Sequence, residues 1–574
     1  MKLARLGVVR AQGFAFGAAL LVPWLFIWQG LDFTDQGYLV TGYRCFFRHP
    51  EATEDSGTLW LTNFVGATWD ALFGGLGLLG LRALWALCLS LGMLLAFRWV
   101  RTLTNEPAAA FTVLVTSAFL SDRRETWFSY NTFSSLLLVA AGVCLAIGIV
   151  RQHRWWLLGA GGVIGILPFA RVPNVLALGL LSTLGLAALL DRDRRRTLLR
   201  DLGFSLAGVV GGVGATLLLI RALGHQQLFF RSLVGLFAPS MQKSGYSADN
   251  LLDGFVRDET KALGWGLAVC VVGLGLSWVL AKVPAVARWL LVAVFAAAGA
   301  WGLTRGDESW SFVVPGTSYW LLAAVALGLW KRTFELRVAA FIALIAVVIA
   351  PLGSNNGIKN AHMGLWLAVP LVLSALATLE APWLSGQGAK LALIFGIALT
   401  GEALNQAASY TYRDAPRTAL WTAVSHQPQL RGQYTTAARA QVVGEVLDAL
   451  GQSVRPGDYL LAYEGTPLLQ YLTKTRPYLN RPWLMGTESG DVVTQLAADA
   501  PRRTGCLPVA VLSLKSTRSA DWPEQARRLE EREPQRGTRR ALKAFLRAHG
   551  YHRKWSNSFF EILEPPSAGP GSCR

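Results

Sequence analysis

The sequence predicts a mainly α-helical fold, in which a polytopic transmembrane helical domain precedes a small extracytoplasmic α/β domain. Of the 574 residues, 52% are hydrophobic and 16% are charged, whereas a soluble protein carries about 25% charged residues. Apolar runs repeat before residue 405, and a run of about twenty such residues can cross a bilayer. Beyond that point the chain becomes more polar. We therefore divide it into a membrane domain, 1–405, and a soluble domain, 406–574.

The membrane domain contains about thirteen apolar segments with the character of membrane spans. The first follows a basic N-terminal stretch and has no clear small-residue cleavage site, which indicates an uncleaved anchor rather than a signal peptide. A polar loop, 30–60, separates it from the second. The segments are 11–29, 76–98, 107–120, 131–150, 155–168, 172–190, 203–220, 262–280, 287–303, 313–330, 336–351, 363–380 and 389–405.

Lysine and arginine concentrate in every second break between these segments. If the N-terminus is cytoplasmic, the cytoplasmic breaks are short and basic, and the opposite breaks are longer yet poorer in basic residues. This is the positive-inside pattern, and it accounts for the net charge of +18 without a nucleic-acid partner. We expect a multi-pass protein of a bacterial inner membrane. Because an odd number of spans ends on the far side, the soluble domain is expected in the periplasm.

The soluble domain shows a mixed pattern of helices and strands. If this domain is extracytoplasmic, Cys506 and Cys573 are a possible disulfide pair, and none of the six cysteines has metal-ligand spacing. Helical apolar spacing and short apolar runs define the elements. The predicted elements are helices over 437–450, 520–535 and 539–550, buried strands over 458–463 and 507–514, and a final strand within WSNSFFEILEP, 555–565.

The breaks on the far side of the membrane differ in kind from the cytoplasmic ones. They hold acidic residues, asparagine pairs, single basic residues and aromatics, in 32–55, 121–131, 169–174, 222–261, 304–312 and 352–362. Polar and ionisable residues at the membrane boundary are energetically costly and usually line a cavity or a pathway. This asymmetry predicts a functional site on the far face.

Asp35 is the strongest candidate within the first of these breaks. It lies in the stretch TDQGYL, a few residues past the first span. A carboxylate in this place can act as a general base toward an acceptor hydroxyl, or bind a metal with a neighbouring acid. The structural alternative is a helix cap or a turn residue.

The stretch DQGY, 35–38, is similar to the first-loop DExxY-like motif of the type C glycosyltransferases. Those enzymes are polytopic membrane proteins that use sugars linked to a polyprenyl phosphate, and their architecture also resembles the one predicted here. Gln36 stands where that family commonly has Glu, and the gap before Tyr38 is shorter. The resemblance implies that Asp35 is the catalytic base, with Asp32 as the second candidate. The substitution at Gln36 leaves open whether a divalent metal is used.

The resemblance also implies an anionic lipid-phosphate donor, which needs a cation to offset the charge of the departing phosphate. Arg171 and Lys359 are the first candidates, because each is a lone cation in an otherwise neutral far-side break. Arg123 and Arg124 are the next. The alternative for each is an interfacial side chain that extends toward the headgroups.

Several polar residues are candidates for binding the sugar or the acceptor. The alternative for the asparagine cluster is a plain turn, and for the acidic pair it is an ordinary charged helix end. The expected partners are the donor lipid, a cell-envelope glycan, lipid or protein acceptor, and the bilayer. The candidates are Tyr38, Asn355, Asn356, Asn360, His362, Asp307 and Glu308.

Two other function classes fit a chain of this architecture. A flippase or transporter of lipid-linked oligosaccharides is favoured by charges in mid-span and by repeated halves, and the sequence shows neither. A polysaccharide polymerase or ligase usually places its large far-side loop late in the chain. The long first loop and the terminal soluble domain favour a glycosyltransferase that transfers a sugar to a hydroxyl on the periplasmic face.

Overall fold

The computed structural model is mainly helical, and the soluble domain adds a sheet. It describes residues 2–104, 106–121, 125–236, 248–305, 309–328, 334–354, 356–378, 386–424, 427–484, 490–520, 522–524, 536–566 and 573. The helices of the membrane domain are α1 Lys2–Leu21, α2 Asp35–Cys45, α3 Trp60–Phe73, α4 Gly77–Arg101, α5 Glu106–Leu120, α6 Tyr130–Arg151, α7 Arg154–Ala170, α8 Ser182–Leu190, α9 Arg195–Ala222, α10 Gln226–Gly235, α11 Ala248–Lys282, α12 Ala285–Thr304, α13 Ser309–Ala326, α14 Phe334–Ile349, α15 His362–Thr378 and α16 Gly388–Ser409.

Each of the thirteen predicted spans coincides with a helix of the structure. Within the described residues, eight helical segments are long and apolar enough to cross a membrane. Shorter apolar helices cover Gln12–Phe26, Pro107–Leu120, Arg154–Ala170 and Trp310–Ala326. The predicted fold class, a polytopic helical domain followed by a small α/β domain, is confirmed.

The outer helices expose apolar side chains that a bilayer would cover. On α9, Val210 and Leu218 are exposed, and on α12 the same holds for Trp289 and Leu290. An apolar surface of this extent is unusual for a soluble monomer. In contrast, α15 is almost fully buried at the centre of the bundle.

The first loop is more ordered than a loop of its composition suggests. The predicted break 30–60 contains α2 and a 3₁₀-helix, Pro50–Leu59, and α3 follows before the second span. Helix α2 is short and has no solvent-exposed face, since nine of its 11 residues are buried. It is therefore packed on all sides by protein, and it contacts both α3 and the soluble domain.

The soluble domain is built on a mixed five-stranded sheet in the order β4-β3-β5-β7-β6. Strand β3 pairs parallel with β4 and β5, whereas β7 pairs antiparallel with β5 and β6. A two-stranded ladder, β1 with β2, precedes it. The strands are β1 Thr422–Ala423, β2 Tyr434–Thr435, β3 Tyr459–Tyr463, β4 Arg476–Pro477, β5 Val509–Ser513, β6 His552–Ser556 and β7 Phe560–Glu564; the helices are α17 Ala437–Ser453, α18 Pro467–Thr473, α19 Gly490–Thr504 and α20 Arg536–Ala548.

Helices cover both faces of this sheet, which explains the continuous apolar runs of its central strands. On one face Leu461 and Leu512 pack with residues of α19 and α20. On the other face Leu460 and Val511 belong to the main core, which also contains residues of α17, α18 and the first loop. Alternate strand residues therefore serve two different cores.

Two expectations about the soluble domain are refined by the structure. The final strand predicted within 555–565 is confirmed as β7, and the structure adds a preceding strand, β6, with which it forms a hairpin. Asn557 in the turn accepts backbone hydrogen bonds from Phe559 and Phe560 at 2.9 and 2.7 Å. Most of the helix predicted over 520–535 lies outside the described residues. Cys506 and Cys573, which the sequence offered as a possible pair, form a disulfide.

A buried ion pair joins the two domains at the end of the first span. The Arg439 guanidinium of α17 lies 2.6 Å from the Asp414 carboxylate, and both side chains are 0% exposed. Asp414 also accepts the backbone N–H of Leu31 at 2.8 Å. Arg439 donates to the backbone carbonyls of Trp522 and Arg413. The first loop is thereby fixed to the soluble domain.

We expect Asp414→Ala to destabilise the protein by about 3–5 kcal/mol, because it leaves the Arg439 charge buried without its partner. The measurement is thermal unfolding of the purified protein in detergent. Asp448→Ala is the matched control, since Asp448 is exposed on α17 and its loss should change stability little. Equal melting temperatures for the two variants would contradict a structural role for the ion pair.

Candidate functional site

The two first-loop acids, Asp32 and Asp35, lie at the N-terminus of α2 and have different contacts. Asp32 is 1% exposed. Its carboxylate accepts hydrogen bonds from the backbone N–H groups of Thr34 at 3.0 Å and Gln36 at 2.8 Å. These donors would otherwise be unsatisfied at a helix start. Asp32 therefore has the geometry of a helix cap, and Asp35, the first residue of α2, projects beyond it.

Glycine in the DQGY stretch permits a close contact between the domains. A side chain at Gly37 would place its Cβ 2.3 Å from the backbone nitrogen of Leu468 in α18. The Leu468 N–H also donates to the Phe33 carbonyl at 3.2 Å, and Thr41 donates to the Pro467 carbonyl at 2.9 Å. Helix α18 therefore lies directly against the helix that carries Asp35.

Arg82 holds the first loop from the membrane side. It is fully buried in α4 and donates to the Gln29 carbonyl at 2.8 Å and to the Ile27 carbonyl at 3.2 Å. It also donates to the side-chain oxygen of Gln36 at 3.2 Å. Gln36 is thus turned toward α4 and away from the Asp35 carboxylate, and its role in this structure is to position the loop.

Two residues from the segment after the last span contact Asp35. The Nη2 atom of Arg413 lies 2.9 Å from Oδ2 of Asp35, and the Tyr412 hydroxyl donates to the same oxygen. The Nη1 atom of Arg413 lies 3.8 Å from Oδ1 of Asp32. Both carboxylates of the first loop therefore face one guanidinium from position 413.

The Asp35 carboxylate has one occupied and one open oxygen. Oδ2 receives Tyr412 and Arg413, whereas no described residue forms a hydrogen bond with Oδ1, and the side chain is 35% exposed. Burial raises the pKa of Asp35 above its ordinary value, and the Arg413 charge and the Tyr412 hydrogen bond act against that rise. We use the term recess for the surroundings of this partly exposed carboxylate, which are formed by Tyr38, Tyr412, Arg413 and Trp483.

A second carboxylate, Glu125, lies at the edge of the same recess. It accepts hydrogen bonds from Ser129 at 2.6 Å and from Asn131 at 2.8 Å, and Ser129 caps α6. Besides burial, which is the largest effect, the Glu125 charge contributes to the raised pKa of Asp35. Trp127 from the same break packs edge-on against Tyr412, with ring centroids 5.3 Å apart.

The soluble domain contributes an aromatic wall to the recess. The Trp483 ring lies edge-on to Tyr38 at 6.3 Å between centroids. The guanidinium of Arg413 lies 5.9 Å from the centre of the Trp483 ring, and that of Arg518 lies 5.0 Å from it. Tyr38, a predicted sugar-binding residue, thus lies beside Asp35 with a tryptophan next to it.

The predicted phosphate-binding residues lie in two loops that pack on each other. Arg171 ends α7 and is 8% exposed, with its guanidinium 5.9 Å from the centre of the Tyr130 ring. Tyr130 starts α6 beside Asn131, which binds Glu125. Pro173 packs against Gly353, in the loop before Lys359. Arg123 and Arg124 lie outside the described residues.

The asparagine cluster is largely occupied with its own turn. Asn360 is buried and donates to Ser354 at 2.6 Å, and the Asn356 backbone N–H donates to the same hydroxyl at 3.2 Å. The His362 ring nitrogen Nδ1 lies 2.8 Å from the Lys359 carbonyl. These contacts favour the turn interpretation for Asn360 and His362. Asn355, Asp307 and Glu308 lie outside the described residues.

The residues around Asp35 do not provide a ready set of metal ligands. Within the described part of the chain, no group of three or more His, Cys, Asp or Glu residues could hold a metal ion. A divalent cation of the calcium or magnesium type takes about six oxygen ligands. The oxygens of Asp32 accept N–H and O–H donors of the first loop, and Arg413 faces both acids.

Sequence reasoning missed most of the partners of Asp35. Tyr412, Arg413, Glu125 and Trp483 were not among the predicted site residues. One signal was present in the sequence: the polar stretch TYRD, 411–414, directly follows the last span, where it must lie at the same membrane surface as the first loop. The recess therefore combines a carboxylate that can accept a proton, a fixed guanidinium and two aromatic rings.

The fold and this recess define a class: a polytopic helical protein in which an α/β domain packs against a carboxylate–arginine site. No family model matches the chain, and no curated protein matches it either. Among solved structures, the chain is similar to ArnT from Cupriavidus metallidurans in the apo state, with a TM-score of 0.43 and 14% identity over 98% of each chain.

Two further solved structures are similar to the chain. ArnT from Cupriavidus metallidurans bound to undecaprenyl phosphate gives a TM-score of 0.40 and 14% identity, over 98% of this chain and 99% of that one. The apo form of the Archaeoglobus fulgidus oligosaccharyltransferase gives 0.45 and 13%, over 88% of this chain and 69% of that one. The roles of individual side chains rest on the contacts described above.

We expect Tyr412→Phe to move the titration of Asp35 to higher pH, because it removes a hydrogen bond that lowers the pKa of that carboxyl. The measurement is labelling of Asp35 by dicyclohexylcarbodiimide, which reacts with the protonated carboxyl, as a function of pH. Tyr434→Phe is the control, since the Tyr434 side chain is exposed. A shift toward lower pH in the Tyr412 variant would show that the hydroxyl does not stabilise the carboxylate.

Proposed function

We propose that this chain is a membrane glycosyltransferase, which moves one sugar from a polyprenyl-phosphate donor to an acceptor hydroxyl on the periplasmic face. One observation carries the proposal: Oδ2 of Asp35 is held by Tyr412 and Arg413, while Oδ1 accepts no hydrogen bond from a described residue and the side chain is partly exposed. A general base needs a fixed carboxylate within reach of a bound hydroxyl. A carboxylate that only caps a helix is bound through both of its oxygens, as Asp32 is.

The proposed reaction is a single displacement at the sugar carbon that is bonded to the donor phosphate. The acceptor oxygen forms a bond to that carbon while the bond from the carbon to the phosphate oxygen breaks. The acceptor proton passes to Oδ1 of Asp35, and the lipid phosphate leaves with the bonding electron pair. One displacement inverts the configuration of the carbon, as the family resemblance implies.

The raised pKa of Asp35 suits this role. A base accepts a proton most effectively when its pKa lies near the working pH, and burial moves the Asp35 carboxyl in that direction. Asp35 must be deprotonated to act, so the rate is expected to fall as the pH drops through this pKa. Asp32, whose oxygens cap α2, has a positioning role in the proposal.

The donor phosphate needs a cation on the opposite side of the sugar carbon from Asp35. We assign Arg171 this role, because its guanidinium is partly buried beside Tyr130, at the end of α6 that also carries the Glu125 contacts. Lys359, in the adjoining loop, is the second candidate. The exposed apolar faces of the outer helices suit a long polyprenyl chain, which remains in the bilayer.

The periplasmic placement of the soluble domain is supported by its disulfide. Disulfides persist in oxidising compartments and are rare in the cytosol of mesophilic bacteria, and Cys506 and Cys573 form one within this domain. With the recess on the same side, the acceptor is a component of the cell envelope. Tyr38 and Trp483 are both buried and pack edge-on against each other beside Asp35, so in the proposal they support the site rather than bind the sugar face.

We expect Asp35→Asn to lower sugar transfer by about a hundredfold or more, because the amide cannot take the acceptor proton. The assay follows release of polyprenyl phosphate from a radiolabelled polyprenyl-phosphate sugar by protein in nanodiscs, with cell-envelope extract as acceptor. Glu51→Gln in the same loop is the control, since Glu51 lies at the surface. An active Asp35→Asn variant removes Asp35 from the mechanism. If the wild type moves the donor across the bilayer and returns it intact, the protein is a flippase.

We expect Arg171→Ala to lower the kcat/KM for the donor about ten- to a hundredfold, because a charge-assisted contact to the phosphate is lost. Arg305→Ala is the matched control, since Arg305 is an exposed far-side arginine that stacks on Trp301. Donor concentration series for both variants give the values. If Lys359→Ala shows the loss and Arg171→Ala does not, the phosphate site belongs to the second loop.

A further inference from the structure

Arg413 occupies the position between the two first-loop carboxylates. Its Nη2 lies 2.9 Å from Oδ2 of Asp35 and its Nη1 lies 3.8 Å from Oδ1 of Asp32, and it also contacts the Thr34 hydroxyl. A cation that bridges two acids in this way does what a divalent metal does in a carboxylate site: it offsets the charge that brings them together.

The backbone of Arg413 is held so that the guanidinium points at these acids. Its φ angle is 54°, in the left-handed region that non-glycine residues seldom adopt. Its carbonyl accepts a hydrogen bond from Arg439 at 3.0 Å, and the next residue, Asp414, forms the fully buried pair with the same arginine. Backbone strain of this kind persists only when the surroundings determine it.

The oxygens that a metal would use are already bound to protons of the protein. Asp32 accepts from Thr34 and Gln36, and Oδ2 of Asp35 accepts from Tyr412 and Arg413. The Gln36 amide oxygen accepts from Arg82. Oδ1 of Asp35 is left for the acceptor, and a metal at that point would compete with the hydroxyl that must lose its proton.

We propose that Arg413 is the resident counter-cation of this site and that it takes the electrostatic role of a divalent metal, so that transfer requires none. This inference rests on the proposed function for its catalytic part. Arg413 acts through Asp35 and is a positioning residue: it holds Oδ2, keeps the carboxylate charged beside Glu125, and leaves Oδ1 open. The site is thus built for an acceptor whose hydroxyl is deprotonated by a carboxylate alone.

The first experiment uses the wild-type protein after treatment with EDTA. We expect substoichiometric divalent metal by inductively coupled plasma mass spectrometry, weak Mn²⁺ binding by electron paramagnetic resonance, and turnover that neither EDTA nor added Mg²⁺ or Mn²⁺ changes. Tightly bound metal, or turnover that EDTA abolishes and Mn²⁺ restores, overturns the proposal. Loss of that metal in Glu125→Gln would then place it between Asp35 and Glu125.

The second experiment separates the charge of Arg413 from its packing. Arg413→Ala is expected to lose about a hundredfold in turnover, with partial rescue by millimolar guanidinium and by the conservative Arg413→Lys. Its rate should also decline at a higher pH than that of the wild type as the solution is acidified, because the Arg413 charge no longer lowers the pKa of the buried Asp35 carboxyl. Arg518→Ala is the control: Arg518 lies on the same Trp483 ring, and its variant should show neither the rescue nor the shift.

The outcomes distinguish this inference from the proposed function. If the wild type shows no turnover with any donor, the proposed function fails. The metal content and the Mn²⁺ binding then still decide whether Arg413, rather than a metal ion, is the cation of this site. If turnover is present and Arg413→Ala is fully active, or is restored by Mn²⁺ and not by guanidinium, the role assigned to Arg413 is wrong. Melting temperatures of the variants show whether a loss comes from misfolding.

Discussion

The buried ion pair between Arg439 and Asp414 is the contact on which the geometry of the recess depends. At 2.6 Å, with neither side chain exposed, it requires its surrounding hydrogen bonds, because two buried charges are stable only when their remaining donors and acceptors are satisfied. Those hydrogen bonds reach Leu31 in the first loop, the carbonyl of Arg413, and Trp522 in the soluble domain. Three distant parts of the chain are fixed in one place, and Asp35 meets Arg413 as a result.

A second buried arginine, Arg82 of α4, also fixes the position of the first loop, from the side of the membrane domain. It satisfies backbone carbonyls at the end of the first span and the Gln36 side chain, in a region where water is scarce and an unpaired carbonyl is costly. Between them, Arg82 and Arg439 set the position of α2 without contacting the Asp35 carboxylate. The residues of the DQGY stretch therefore have different surroundings: Asp35 faces the recess and Gln36 faces α4. The absence of a side chain at Gly37 allows α18 to pack closely.

The soluble domain takes part in the site as well as covering it. Its main core is continuous with that of the first loop: Phe33 packs against Trp522 and Phe560 at 5.3 and 6.0 Å between ring centroids. Trp483 brings its ring to Tyr38 and Arg413. A division of the chain at residue 405 separates two compositions, but the recess belongs to both sides of that division.

The spans, the change of character near residue 405 and the possible pairing of Cys506 with Cys573 could be predicted from the sequence, because each leaves a local signal in apolar run length, composition or residue type. Asp35 was selected as a candidate in the same way, from its residue type and its place after the first span. The packing of distant segments was needed to show that Asp32 caps α2, that Gln36 binds Arg82, and that Tyr412 and Arg413 contact Asp35. The Tyr412–Asp35 contact joins residues 377 positions apart. No periodicity or spacing encodes such a pair, since it is created by the packing of two domains against one short helix.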